Sequence, residues 1–220
     1  MTLRVAPSGV RLTVPPRASA RQIDAFLRAS EPWVAEQRGR LAPAPAPLRD
    51  GDRVAYLDDA LHLRVVPVGG GRRGAAREGT RLVVAARPGE DPGAVVEGWY
   101  RREAARVIAP RARASAAALG GSAGRIAIRD PRSRWGSCSS TGTLSFSWRL
   151  LLAPETVLDY VVAHEACHLL RPDHSPAFWA LVAEAFPGHT GARSWLRENG
   201  ARLHRGPGWR WEEGLSPDPS

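Results

Sequence analysis

Apolar and polar residues alternate with a period of two over residues 3–5 and again over 10–14, on either side of Pro7-Ser8-Gly9, and predict a β-hairpin. The period then lengthens. Ile23, Phe26 and Leu27 recur at helical spacing behind Ser19, a suitable N-cap, and a second short helix carrying Trp33 follows Pro32. The alternation of Ala and Pro from Ala42 to Pro47 is a stiff, extended spacer. Period-two runs return at 53–57, 61–67 and 81–86, with the Gly69-Gly70-Gly71 loop between the last two. That loop lacks the lysine and the spacing of a phosphate-binding loop. Asp91-Pro92 opens a helix reaching to about Leu119, bent at Pro110. Residues 125–129 read as a strand with Ile126 and Ile128 inward. Residues 133–138 and 143–149 read as a hairpin around Ser140-Thr141-Gly142, with Leu144, Phe146 and Trp148 on one face. From Gly206 onward Pro, Gly and acidic residues predict a disordered tail, despite Trp209 and Trp211.

One stretch breaks from simple patterning: Val161-Val162-Ala163-His164-Glu165-Ala166-Cys167-His168-Leu169-Leu170-Arg171-Pro172-Asp173-His174. On a helix advancing about 100° per residue, His168 lies about 40° around from His164 and Glu165 about 100° around, so all three project into one quadrant. Two imidazoles one turn apart can grip a tetrahedral Zn²⁺ and leave a position for a water that the glutamate deprotonates. Catalytic zinc sites take a third protein ligand. The chain offers His174, Glu184, His189 and His204. Pro172 disfavours helix in the residue before it, so the metal helix should stop near Leu170 or Arg171 and the returning chain should aim His174 at the metal. Over 175–186 the apolar face holds Phe178, Trp179, Leu181, Val182, Ala185 and Phe186, and Glu184 falls on the opposite side, which favours His174. His189 and His204 read as surface or loop histidines. Burying two histidines and a glutamate for structure alone would cost on the order of several kcal/mol without a metal or a full hydrogen-bond network. Cys167 points away from the ligand arc and reads as packing. Metzincins share the His-to-His spacing but need Gly where this chain has Arg171, and a methionine turn where the only methionine is Met1.

The runs Arg134-Trp135-Gly136-Ser137-Cys138, Gly142-Thr143-Leu144-Ser145-Phe146-Ser147-Trp148-Arg149-Leu150, Leu158-Asp159-Tyr160-Val161-Val162, His164-Glu165-Ala166-Cys167-His168 and His174-Ser175-Pro176-Ala177-Phe178-Trp179 closely resemble the YgjP-like metallopeptidase family, a relative of the SprT-like (Spartan-type) zinc proteases. The specific part spans about 130 to 200, and a weaker likeness runs upstream from Gly9 through Trp33. The resemblance implies His164, His168 and His174 as ligands of one Zn²⁺ per chain and Glu165 as general base. Ser147 stands where the family usually has Asn and Ala166 where it usually has Leu, departures that bear on substrate contacts and not on the metal.

The reading is therefore an α+β, zincin-like fold: a small antiparallel or mixed sheet beside a metal-binding helix, with an N-terminal β-rich subdomain. It divides into 1–47 (hairpin, helices and Pro-rich linker), 48–205 (metallopeptidase domain, catalytic core 125–200) and a tail over 206–220. A sheet edge beside the metal helix can bind an extended peptide by strand addition, and Trp135, Gly136 and Ser137 are the candidates for it. Tyr160 and Arg149 are the residues within reach of an oxyanion role.

Charge adds a second hypothesis. The net charge is +9, with no lysine; residues 1–135 hold 24 arginines against 13 carboxylates and residues 136–220 hold 7 against 9. The excess lies upstream of the metal motif, where it suits either a nucleic-acid contact or a codon bias that needs no ligand. Two other functions thus stay open: a metal-dependent nucleotide pyrophosphatase, or a DNA-associated protease activated by its nucleic-acid partner. Residues 1–16 contain no apolar core of a signal peptide and no apolar run approaches about 18 residues, so no membrane segment is expected and the cytoplasm, with Cys138 and Cys167 as reduced thiols, is the default.

Overall fold

A computed structural model of the chain describes residues 1–6, 9–40 and 47–206. The hairpin tip Pro7-Ser8, the Ala-Pro spacer up to Ala46 and the expected tail beyond Gly206 lie outside the described residues. Two compact units divide the chain, Met1–Pro45 and Ala46–Ser220.

The first unit pairs strand β1 (Thr2–Ala6) antiparallel with β2 (Gly9–Thr13), placing Leu3 opposite Leu12 and Arg4 opposite Arg11. Helix α1 (Ala20–Arg40) follows. Ser19 and Gln22 form a reciprocal cap: the Ser19 hydroxyl accepts from the Gln22 N–H at 3.3 Å, and the Gln22 carbonyl oxygen accepts from the Ser19 N–H at 2.9 Å. The expected second helix after Pro32 is instead the continuation of the first, with Pro32 inside it. A proline removes one helical hydrogen bond, and the 21-residue helix carries that loss. This unit is led by its helix rather than being β-rich.

The second unit opens with β3 (Arg53–Tyr56), β4 (Asp59–Pro67), β5 (Gly74–Glu78) and β6 (Arg81–Ala86), in spatial order β3-β4-β6-β5. β5 was not legible in the pattern. Its sequence Gly-Ala-Ala-Arg-Glu has little β propensity, and it forms because the hairpin with β6 supplies hydrogen bonds along its whole length. Helix α2 (Gly93–Ala118) runs through Pro110 and buries Val96, Trp99, Tyr100, Ala104, Ile108, Ala112 and Ala116 at spacings of three or four. Tyr100 is fully buried, and its hydroxyl donates to the Ala55 carbonyl, fixing α2 to β3.

A three-stranded sheet builds the floor of the site: β7 (Ile126–Arg129), β8 (Gly136–Cys138) and β9 (Leu144–Ser147), in order β7-β9-β8. β7 runs parallel to β9 and β8 antiparallel, so β8 is an outer strand. The second strand was expected to continue to Arg149. It ends at Ser147, whose hydroxyl accepts from the Arg149 N–H at 3.3 Å and starts a 3-10 turn, Trp148–Leu152. The turn puts Trp148, Leu150, Leu151 and Leu152 into the core together, which alternation along a strand cannot do.

Helix α3 (Glu155–Cys167) buries Val157, Leu158, Val161, Val162, Ala163, Ala166 and Cys167, enough of its surface to place it in the interior, with its polar residues confined to the first turns and to the end that carries His164 and Glu165. Its first turn is held from outside: the Asp58 carboxylate accepts from the Glu155 N–H at 3.2 Å, and Arg111 of α2 pairs with both Glu155 and Asp159. Helices α4 (Pro176–Ala185) and α5 (His189–Leu203) complete an α+β fold that has, among the described residues, five helices and small mixed sheets. None of the described helices is long and apolar enough to cross a membrane.

Candidate metal centre

His164 and Glu165 sit in the last turn of α3, and His168 caps it. The helix stops three residues earlier than Pro172 alone predicts. Its end tightens into a turn, with the Leu169 N–H bonded to the Ala166 carbonyl and the Arg171 N–H to the Cys167 carbonyl. That turn has a chemical result: Nδ1 of His168 lies 2.9 Å from the Arg171 carbonyl oxygen. A carbonyl can only accept, so Nδ1 carries the proton and Nε2 presents its lone pair, the usual outer bond of a metal-ligating histidine.

The returning chain brings His174 alongside. Nε2 of His174 lies 3.4 Å from Nε2 of His164, and one ring nitrogen from each of His164, His168 and His174 falls within 4.8 Å of the others. Two nitrogens bound to one tetrahedral zinc at 2.0–2.1 Å would be about 3.3–3.4 Å apart. The His164–His174 pair has that spacing, and the three histidines together form a donor set that could hold a metal ion. Burial, together with His168, His174 and the positive charge of Arg193, pulls the His164 imidazole down to about 4, so it is neutral and able to ligate at ordinary pH. Its buried Nδ1 has no hydrogen-bond partner among the described residues.

Phe178 explains why three histidines converge. It is fully buried on α4, stacks on the His168 ring at 4.3 Å between centroids, and meets the His164 and His174 rings edge-on at 5.0 Å each. Ser175 starts α4 by accepting the Phe178 N–H at 3.4 Å, so the residue after the third histidine also sets the aromatic wedge.

Glu165 is 6% exposed, and burial raises its carboxyl to about 7, a rise that the charge of Arg134 opposes. It lies directly against β8: a Cβ built on Gly136 would sit 2.5 Å from both Cγ and Oε1 of Glu165. Only glycine leaves room. A cleft of about 860 Å³ runs over these groups, lined by Arg134 to Ser140 along β8 and by Tyr160, Arg193 and the three histidines on the other side.

Trp135, Gly136 and Ser137 all line this cleft. Trp135 also has a packing role, stacked on His204 at 4.8 Å and against Gly200 of α5. Of the two oxyanion candidates, Tyr160 faces the cleft, its ring 5.8 Å from that of His164. Arg149 does not: its guanidinium pairs with Asp130 at 2.8 Å, donates to the Leu203 carbonyl at 3.1 Å and stacks on Trp148. Glu184 lies apart from the histidines, in a shallow depression beside Leu170 and Arg171. His189 stacks at a distance on Trp179, and Cys167 is fully buried. Ser147 and Ala166, where the chain departs from the usual family residues, are buried and line no part of the cleft. Sequence reasoning passed over Arg193 and gave Phe178 only a place on an apolar face, because neither belongs to a ligand pattern and only the packing of α4 and α5 on α3 brings them to the site.

The family model for the YgjP-like metallopeptidase domain matches residues 1–199. The chain belongs to the YgjP-like family. That family is one of metallopeptidases, which implies a bound metal ion and a polypeptide substrate for this YgjP-like chain. Among solved structures, the metallopeptidase zymogen of Pyrococcus abyssi abylysin matches at 24% identity with a TM-score of 0.39, over 46% of this chain and 98% of that chain. No curated protein matches.

Proposed function

We propose that this chain is a zinc-dependent peptidase with a zincin-like core, in which His164, His168 and His174 hold one Zn²⁺ and Glu165 is the general base. The observation that carries the reading is the 3.4 Å approach of two imidazole Nε2 atoms beside a buried carboxylate raised to about 7. Bound there, zinc would supply a Lewis acid for the scissile carbonyl and lower the pKa of a water to about 7.

The chain's own residues do the rest. Glu165, held between α3 and the backbone of Gly136, takes the proton of the attacking water at its carboxylate and passes it to the leaving amine; a base near neutrality suits both transfers. Among the described residues β8 has β9 on one side and no strand on the other, so an extended peptide can add along its outer edge and run through the cleft past Glu165. Tyr160, which lines the cleft one turn before His164, is the residue whose hydroxyl would donate to the developing oxyanion. Catalysis resides in residues 48–205, with the chemistry in 125–200.

The test is a direct assay. Purified protein, stripped with a chelator and reloaded with zinc, is offered an unfolded polypeptide and, separately, a nucleoside triphosphate. Zinc-dependent cleavage of the polypeptide, with the triphosphate untouched, is the expected result. Hydrolysis of the triphosphate with no peptide ever cut would replace this reading by that of a pyrophosphatase.

A further inference from the structure

The cleft carries an electrostatic asymmetry that peptide hydrolysis itself does not need. Two arginines line it, Arg134 two residues before β8 and Arg193 on α5, and its one carboxylate is the base Glu165. Where arginines of the same unit do serve packing, they meet carboxylates: Arg101 pairs with Glu97 and Asp130, Arg111 with Glu155 and Asp159, and Arg149 with Asp130. Neither Arg134 nor Arg193 makes an ion pair within 4.0 Å among the described residues.

Arg193 is also held in place. Its guanidinium lies over the Trp179 ring at 4.6 Å, and Trp179 in turn packs on the rings of His164 and His174. Stacking leaves the planar edge of the guanidinium, with its forked N–H donors, free for an in-plane partner, and the matching partner is a carboxylate. The two charges act at different places. Arg134 lines the wall along β8 and Arg193 the wall of the histidines, so the positive potential flanks the reacting position from both walls.

We propose that Arg193, assisted by Arg134, is a specificity-determining residue that selects polypeptides with Asp or Glu next to the scissile bond. This deepens the peptidase reading and rests on it. A basic side chain in the same position would meet two like charges in a cleft that offers no acid besides Glu165, and discrimination then comes from repulsion as much as attraction.

The experiment compares three fluorogenic peptides of otherwise equal sequence, with Glu, Gln or Lys flanking the cleaved bond, on the zinc-loaded protein. We expect kcat/KM for the Glu peptide to exceed that for the Lys peptide by about tenfold or more, a gap that narrows as salt screens the charges. Arg193→Glu should reduce or invert the ratio. Arg197→Glu, one turn further along α5 and outside the cleft, should leave it unchanged. Equal kcat/KM for the Glu and Lys peptides, or a ratio untouched by Arg193→Glu, would overturn the proposal. Fluorescence anisotropy of the same peptides bound to the zinc-loaded Glu165→Gln variant separates the two readings. If no peptide is cut, the peptidase reading falls, while equal dissociation constants for the Glu and Lys peptides would still overturn the charge selectivity and tighter binding of the Glu peptide would still support it.

Discussion

Glu165→Gln is expected to keep its zinc and lose hydrolysis by roughly 10² or more, the scale of removing a positioned acid–base group. The amide has the shape of the carboxylate and fits the same slot against Gly136, but it cannot accept a proton. The substitution has a second effect in protein stripped of metal. Burial raises the Glu165 carboxyl from 4.5 to about 7, so between those values the folded chain holds a proton that the unfolded chain has released. Folding is then linked to proton uptake, and stability falls as pH rises through that window. His164, lowered from 6.5 to about 4, works in the opposite direction: across its window the unfolded chain holds the extra proton, and stability rises with pH. Replacing Glu165 removes only the first effect. Metal-stripped Glu165→Gln should therefore match the unsubstituted protein near pH 4.5 and exceed it above pH 7 by up to about 3 kcal/mol in denaturant unfolding. Undiminished peptide cleavage by the variant would remove Glu165 from the mechanism.

Gly136→Ala should be nearly as damaging to turnover, although Gly136 has no side-chain chemistry. Its new methyl would sit 2.5 Å from Cγ and Oε1 and 2.7 Å from Cδ of Glu165, closer than packed atoms allow. One of the two must move. The strand is pinned, because β8 is paired in register with β9 through Gly136 opposite Phe146, and Phe146 is fully buried. The carboxylate end of Glu165 is the free partner, and it rotates away from the cleft. A displacement of about 1 Å in a reacting group can cost on the order of 10² in rate. Because the atoms nearest the new methyl belong to Glu165 and not to a histidine, zinc content should stay full, and kcat should fall while KM changes little. Steady-state kinetics beside metal analysis decide it. An alanine variant with normal kcat would mean that Glu165 does not need the position it occupies.

The candidate motif was legible in the chain because helical geometry brings positions 164, 165 and 168 together, and Pro172 signals that the chain leaves the helix before 174. What local pattern could not give was the exact end of α3. The close of that helix depends on the tight turn from Ala166 to Arg171 and on the bond between His168 and the Arg171 carbonyl. The same limit hid β5, whose residues favour no strand until β6 pairs with them, and the 3-10 turn at Trp148, where four large side chains enter the core in succession. It also hid Pro32 inside α1, since the rule that proline ends helices is weaker than the hydrogen bonds on both sides of it. Gly136 could be singled out as part of an edge, but the reason for glycine is steric and lies in a residue 29 positions away. Arg193 and Phe178 act only through the packing of α5 and α4 on α3, and no spacing rule reaches across that distance.

The central claim is that one ion is held by three histidines, two from the end of α3 and one from the chain that follows. Zinc content after exhaustive dialysis, compared among the unsubstituted protein, His164→Ala, His174→Ala and Glu184→Ala, tests it most directly. The account predicts one zinc per chain in the unsubstituted protein and in Glu184→Ala, with comparable loss in His164→Ala and His174→Ala. Full occupancy in His174→Ala together with loss in Glu184→Ala would contradict it.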